Sequence, residues 1–244
     1  MKKMRWKKAV LSALAAVLTA SLLASGVGAA DPAEAELEAE MLKALGLFRG
    51  VSDTDFDLDR EPTRVEALVM LIRALGEEST ALGGTYAHPF TDVPDWADAY
   101  VGYAYENGLT NGISATEFGT GNASAAMYVT FMLRALGYSD AAGDFAWDEP
   151  FELGRRTGIV TEQVDLNRFL RADVVTVSWA ALGAETKDGE TTLAGKLAYR
   201  GVFPKEKLTE FGIVPIAEDE TPSMIDPGPV YILPVEPKEP ELGA

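Results

Sequence analysis

The 244-residue chain carries 21 basic and 38 acidic residues, a net charge of −17, one histidine and no cysteine. An acidic field of this size excludes a general binder of nucleic acid or anionic lipid. The composition also excludes a disulfide framework, a cysteine nucleophile and a histidine-rich metal site.

The chain opens on Lys2, Lys3, Arg5, Lys7 and Lys8, continues through an apolar stretch from Ala9 to Ala24, and reaches its first acid at Asp31 after a run of small residues. A charged start, a short apolar middle and a small-residue exit form a secretory signal, expected over residues 1–30. The rival reading is an uncleaved anchor, although the apolar run is short against the roughly 20 residues a spanning helix needs. Loss of five basic residues and no acid would take the net charge from −17 to −22.

The body then repeats itself. Each unit reads as a helix closing on Gly plus an aliphatic residue, a loop, and a second helix closing on Leu-Gly. In the first unit (31–84) the helices are expected over Ala35–Leu45, before Gly46-Leu47, and over Arg64–Leu75, before Gly76. In the second (85–143) they are expected over Trp96–Asn107, before Gly108-Leu109, and Ser124–Leu136, before Gly137. In the third (144–203) they are expected over Pro150–Thr157, before Gly158-Ile159, and Ala172–Leu182, before Gly183, with a closing helix over Leu193–Arg200. Glycine just past a helix end supplies a left-handed cap at little steric cost. The apolar positions Val65, Leu68, Val69, Leu71, Ile72 and Leu75 form one broad stripe. Short hairpins of this kind bury their apolar faces only against neighbouring copies, so the expected fold is mainly α, three helical hairpins around a shared centre.

From Pro204 the character changes. Eight of the 13 prolines lie from there onward, and an extended acidic tail is expected over 204–244. It is a candidate arm for a protein partner.

Candidate chemistry is sparse. Thr63 and Glu66 stand as Thr-x-x-Glu before an apolar-periodic run, which is a capping box. Arg64 is not needed by that cap, and a cation is disfavoured at a helix start. It is free to hold a carboxylate, or is solvated, or pairs with Asp59 or Glu61. Trp96 packs in the core by default; the alternative is a sugar-stacking face. Asp53, Asp55, Asp57 and Asp59 alternate, but Leu58 and Arg64 fall where a calcium loop wants Gly and Glu, so a solvated acidic loop is the default. No Gly-x-Ser-x-Gly elbow accompanies His88, and no pair among the many carboxylates stands out for glycoside hydrolysis. No catalytic residue, metal ligand or cofactor site is assigned.

Pro62-Thr63-Arg64-Val65-Glu66-Ala67 resembles the Thr-Arg-x-Glu signature of S-layer homology domains. Phe90-Thr91-Asp92-Val93-Pro94 with Trp96-Ala97, and Glu106-Asn107-Gly108-Leu109 with Gly112 and Phe118, are similar to other parts of that repeat. The resemblance covers roughly residues 35–203. It implies three repeats in a pseudo-threefold bundle with grooves between them, in a secreted protein of the bacterial cell wall or S-layer. It further implies non-covalent binding of a secondary cell-wall polysaccharide, with the signature arginine holding an acidic group of the glycan. Arg64 matches the signature directly. Counting back from Gly183 places Arg171 at the same position with Asp173 for the glutamate, whereas the second unit has Ala125 and Met127 there. The candidate glycan-binding set is Arg64 and Arg171, from the resemblance, with Trp96 as the sugar-stacking candidate. Two rival expectations are an envelope adaptor that keeps the fold without glycan binding, and an envelope glycan hydrolase.

Overall fold

The structure, a computed structural model, describes residues 32–213. The expected signal segment and residues 214–244 of the expected tail lie outside the described residues.

The described chain is mainly helical. In order it forms α1 (Pro32–Ala44), α2 (Arg64–Ala74), α3 (Glu78–Gly83), a 3-10 turn (Asp95–Ala97), α4 (Asp98–Glu106), α5 (Ala125–Ala135), α6 (Phe151–Arg156), α7 (Arg171–Gly183), α8 (Leu193–Tyr199) and α9 (Glu206–Glu210). No strand occurs among the described residues; the only sheet-like pairings there are the isolated bridges Thr63–Asn122 and Glu185–Thr192.

The apolar stripe of α2 explains its place. Leu68, Leu71 and Ile72 are fully buried, and burying a side chain of this size stabilises the fold by about 1.5–3 kcal/mol. The long helices α2, α5 and α7 touch one another pairwise. Each also carries a helix from the first half of a different expected unit: α4 lies on α2, α6 on α5, and α1 on α7. The hairpins therefore do not close on themselves, and each second helix buries its neighbour's first.

Backbone hydrogen bonds sew the same seams. Arg64 N donates to Gly121 O (2.8 Å) and Ala123 N to Pro62 O (2.8 Å), joining the segments that lead into α2 and α5. Arg171 N donates to Arg60 O (2.9 Å) and Ala172 N to Leu58 O (3.0 Å), joining the segments that lead into α7 and α2.

The capping box is formed. Glu66 N donates to Thr63 Oγ1 at 3.2 Å, and Thr63 N donates to Glu66 Oε2 at 2.8 Å. Arg60 grips the same carboxylate through both oxygens, at 2.8 and 2.9 Å. That hydrogen-bonded arginine holds the Glu66 carboxyl down at about 2. Thr63→Ala is expected to cost about 1 kcal/mol of unfolding free energy in urea titrations, the worth of one N-cap side chain; no loss would mean that the cap is redundant with the Arg60 grip.

Four sequence expectations are corrected. Gly183 does not take the left-handed cap: α7 runs through it and ends in extended backbone at Ala184, which leads into the Glu185–Thr192 bridge. Trp96 does not pack in the core; it stands in the 3-10 turn with 58% exposure. The short helix α3 was not foreseen. Residues 204–213, assigned to the tail, instead hold α9, and Phe211 packs edge-on against Trp179 at 6.4 Å.

Gly76 shows why one glycine was required. Its φ is +67°, and a Cβ there would sit 2.5 Å from Val202 Cγ1. The chain after α8 thus rests directly on the end of α2, and Arg200 forms an ion pair with the buried Glu77 beside it.

A buried carboxyl ties α1 to α7. Glu38 is 6% exposed, and Thr176 donates to its Oε2 at 2.7 Å. Burial raises its carboxyl to about 7, with the Thr176 hydrogen bond opposing that rise and Glu34 adding to it. A carboxyl raised in the folded state stabilises fully below its unfolded value near 4.5, and that contribution is lost as pH rises through about 7. Glu38→Gln is therefore expected to be more stable than wild type at pH 8, by up to about 3 kcal/mol, with the difference shrinking below pH 5. Thermal melts of both proteins across that range check it; a pH-independent difference would contradict the burial account.

Candidate functional site

Arg64 begins α2 and reaches over the seam into the second unit. Its guanidinium lies 5.0 Å from the Phe118 ring centroid and 5.3 Å from that of Phe131. Two aromatic faces therefore hold a planar cation by a charge–quadrupole attraction. Nη2 faces Thr110 Oγ1 at 3.5 Å, a long contact, and Nε is buried with no acceptor. Arg64 has no ion pair with any described residue. Glu61 is turned to Asn122 instead, whose Nδ2 donates to it at 3.1 Å.

Burial pushes the Arg64 guanidinium down to about 10; nearby Arg134 adds to this and Asp92 opposes it. An arginine disfavoured as a cation, yet left without a carboxylate, is the arrangement that an incoming anion would relieve. Arg134 is not free to serve. Its Nε and Nη2 clamp Asp140 at 2.9 and 2.7 Å, and Nη1 donates to Leu109 O at 3.1 Å.

The loop around this guanidinium is built by Asp92. Its two oxygens accept from Phe118 N (2.7 Å) and Gly119 N (2.8 Å), and these amides hold its carboxyl below its ordinary value against the effect of burial. The Phe-Thr-Asp-Val-Pro string thus positions the turn next to Arg64. Thr110, fully buried, accepts from Gly112 N at 3.2 Å as well as facing Arg64. Thr110 and Phe131 were missed as site residues. Both come from the unit after the arginine, and helical periodicity does not report neighbours across a seam.

Arg171 occupies the same place on α7 but a different environment. It is 5% exposed; its Nε donates to Phe56 O at 3.1 Å, its Nη1 lies 3.5 Å from Met70 Sδ, and its guanidinium is 5.9 Å from the Phe48 ring. Trp96, on the 3-10 turn before α4, has no contact with either guanidinium among the described residues.

A cleft of about 420 Å³ lies between the segment leading from the first unit's loop and the third unit, walled by Asp55, Asp57, Asp59, Asp165, Arg168 and Asp173. Two of its acids are engaged internally: Asp55 Oδ1 accepts from Asp57 N (2.8 Å), and Asp173 accepts from Asp165 N (2.8 Å) and Leu170 N (2.7 Å). No group of three or more potential metal ligands is gathered among the described residues.

The described residues are thus a mainly helical fold that holds the Arg64 guanidinium partly buried, without a carboxylate partner. Residues 89–123 match the S-layer homology domain. The chain is 33% identical over 142 residues to a surface layer protein of Brevibacillus choshinensis, covering 54% of this chain and 13% of that protein. It is 31% identical over 144 residues to the middle cell wall protein of Brevibacillus brevis (54% and 14%), and 32% identical over 151 residues to a cell surface protein of Thermoanaerobacter kivui (57% and 20%). The chain thus matches between 13% and 20% of the length of these relatives. All three are named for the cell surface or wall. Among the described residues no helix is long and apolar enough to cross a membrane.

Proposed function

We propose that this chain is a non-enzymatic anchoring module of the bacterial cell surface, which holds to a wall polysaccharide by gripping an acidic substituent at Arg64. The observation that carries this reading is the guanidinium held between Phe118 and Phe131 with no carboxylate partner. Aromatic faces cover the plane of the cation and leave its edge as the place for a ligand. A guanidinium edge suits a carboxylate because its donors form a flat fork. The low-polarity walls strengthen that contact relative to water. A local grip is also what an acidic chain needs, since its overall field repels an anionic polymer.

The three units are proposed to form a ring, each arginine position facing the next unit. This rests on the pairwise contacts of α2, α5 and α7, and on α1 of the first unit lying on α7 of the third. The surface and wall proteins that the chain resembles support the setting.

The test is cosedimentation of the protein with purified cell walls, native and after mild acid removal of acidic ketal substituents. Binding to native walls and its loss after treatment is the expected result. Protein that stays in the supernatant with native walls sinks the anchoring reading. A second reading, a fold kept without glycan binding, draws on Ala125 at the second unit's arginine position; it predicts that supernatant result.

A further inference from the structure

The two arginines lie against loops that are copies of one another. Leu47-Phe-Arg-Gly-Val-Ser-Asp-Thr-Asp-Phe-Asp57 aligns without a gap on Leu109-Thr-Asn-Gly-Ile-Ser-Ala-Thr-Glu-Phe-Gly119. The backbone repeats as well. Val51 N and Ser52 N both donate to Asp55 O, at 2.9 and 3.2 Å; Ile113 N and Ser114 N both donate to Glu117 O, at 2.8 and 3.2 Å. Asp57 and Gly119 close the two loops, both with positive φ, at +53° and +89°.

The sockets correspond position by position. Arg64 meets Phe118 of the loop and Phe131 of the neighbouring helix; Arg171 meets Phe56 of the loop and Met70 of the neighbouring helix. Two positions differ in kind. Thr110 is answered by Phe48, and Gly119 by Asp57. Where the loop carries Phe48, the arginine is 5% exposed, lies against that ring and has turned a donor to the Phe56 carbonyl. Where it carries Thr110, the arginine keeps only a 3.5 Å contact and remains half-buried. Where Asp57 stands, its carboxylate and the adjacent Arg60 fill the space beside the loop, bonded at 2.6 Å. Where Gly119 stands there is no side chain, and a Cβ would lie 3.4 Å from Arg64 Cδ.

We infer that the chain has one working anion socket, at Arg64, and that Thr110 and Gly119 are the residues that keep it open, whereas Phe48 and Asp57 have turned the Arg171 socket into a structural tie. This rests on the reading of Arg64 as the glycan-binding residue, and it adds both a number of sites and the determinants of that number. Thr110 and Gly119 are positioning residues: neither needs to touch the ligand.

Two measurements on the full chain test it. Phenylglyoxal, an arginine-selective reagent, is applied to the native protein and modification is read residue by residue from peptide masses. Arg64 is expected to react at least about 10-fold faster than Arg171, because burial shields the latter. Equal rates overturn the inference, and they do so whether or not the protein binds walls, so this arm fails independently of the anchoring reading. The second measurement compares Gly119→Asp with Gly119→Ala in wall cosedimentation. Both bear the strain of a side chain at φ +89°, and in both the exposed Ile113, whose Cγ2 would lie 3.0 Å from the new Cβ, has to move. Only the aspartate brings a carboxylate to Arg64. Gly119→Asp is expected to lose at least about 10-fold in affinity and to protect Arg64 from phenylglyoxal, while Gly119→Ala, which adds bulk but no carboxylate, loses several-fold less affinity and leaves Arg64 reactive. Equal behaviour of the two variants, or wild-type binding by Gly119→Asp, overturns the role given to this position.

Discussion

Replacing Arg64 by alanine is expected to weaken binding to native cell walls by about 10- to 100-fold and to leave thermal stability unchanged or slightly raised. The first half follows from the grip on the ligand that alanine removes: hydrogen bonds to a charged group contribute roughly 1.5–3 kcal/mol, and each 1.4 kcal/mol is about tenfold in affinity. The second half follows from the site. Arg64 is a cation drawn partly out of water, with Nε unpaired and another arginine nearby. Its removal gives up two ring contacts but also relieves a desolvated charge. Arg64→Lys keeps the charge without the flat fork, so it should recover only a minor part of the affinity. Wall-binding isotherms alongside thermal melts check this. A variant that binds as wild type would remove Arg64 from the mechanism, and one that melts far earlier would make it a structural residue.

The reverse pattern is expected for Arg171. Alanine there orphans the Phe56 carbonyl and opens a hole between Phe48 and Met70 in a site only 5% exposed. A lost buried hydrogen bond plus a cavity amounts to about 3 kcal/mol. For a domain of this size that lowers the melting midpoint by roughly 6–12 °C. Arg171→Met fills much of the hole and should lose less. Below the melting range, the folded fraction of Arg171→Ala should bind walls as wild type does. If instead it melts normally and fails to bind, Arg171 faces the ligand and the contrast between the two arginines is wrong. Together the pair makes a double dissociation: one arginine for binding, one for stability.

Much of the scaffold was readable in the chain itself. The apolar stripe of α2 and the glycines after the helices report local backbone and burial, which are properties of neighbouring residues. The capping box was legible for the same reason, because Thr63 and Glu66 meet within one turn. Gly183 misled because a glycine after Leu also fits inside a helix when the chain beyond it turns into a bridge. The fate of Arg171 was not legible from its own segment. Its partners, Phe48, Phe56 and Met70, lie a hundred or more positions away, the Phe56 bond spanning 115. Trp96 was misplaced because an indole is usually buried, and the 3-10 turn that presents it outward has no strong sequence mark. The contrast between the two sockets was nonetheless present in the sequence. The alignment of 47–57 on 109–119 needs no coordinates; what it lacked was the knowledge that position 48 or 110 sits under an arginine.

The placement of α1 on α7 has a further consequence. Glu38 and Thr176, which join them, are 138 positions apart. During synthesis α1 leaves the ribosome before the other described helices, yet it has no docking surface until α7, the last of the long ones, has followed it. Structures dominated by such distant pairings fold slowly, since a large loop must close before the pairing can stabilise it. A chain truncated before residue 171 would leave one face of α1 bare, and it should persist as an aggregation-prone, incompletely packed species rather than as a smaller stable domain.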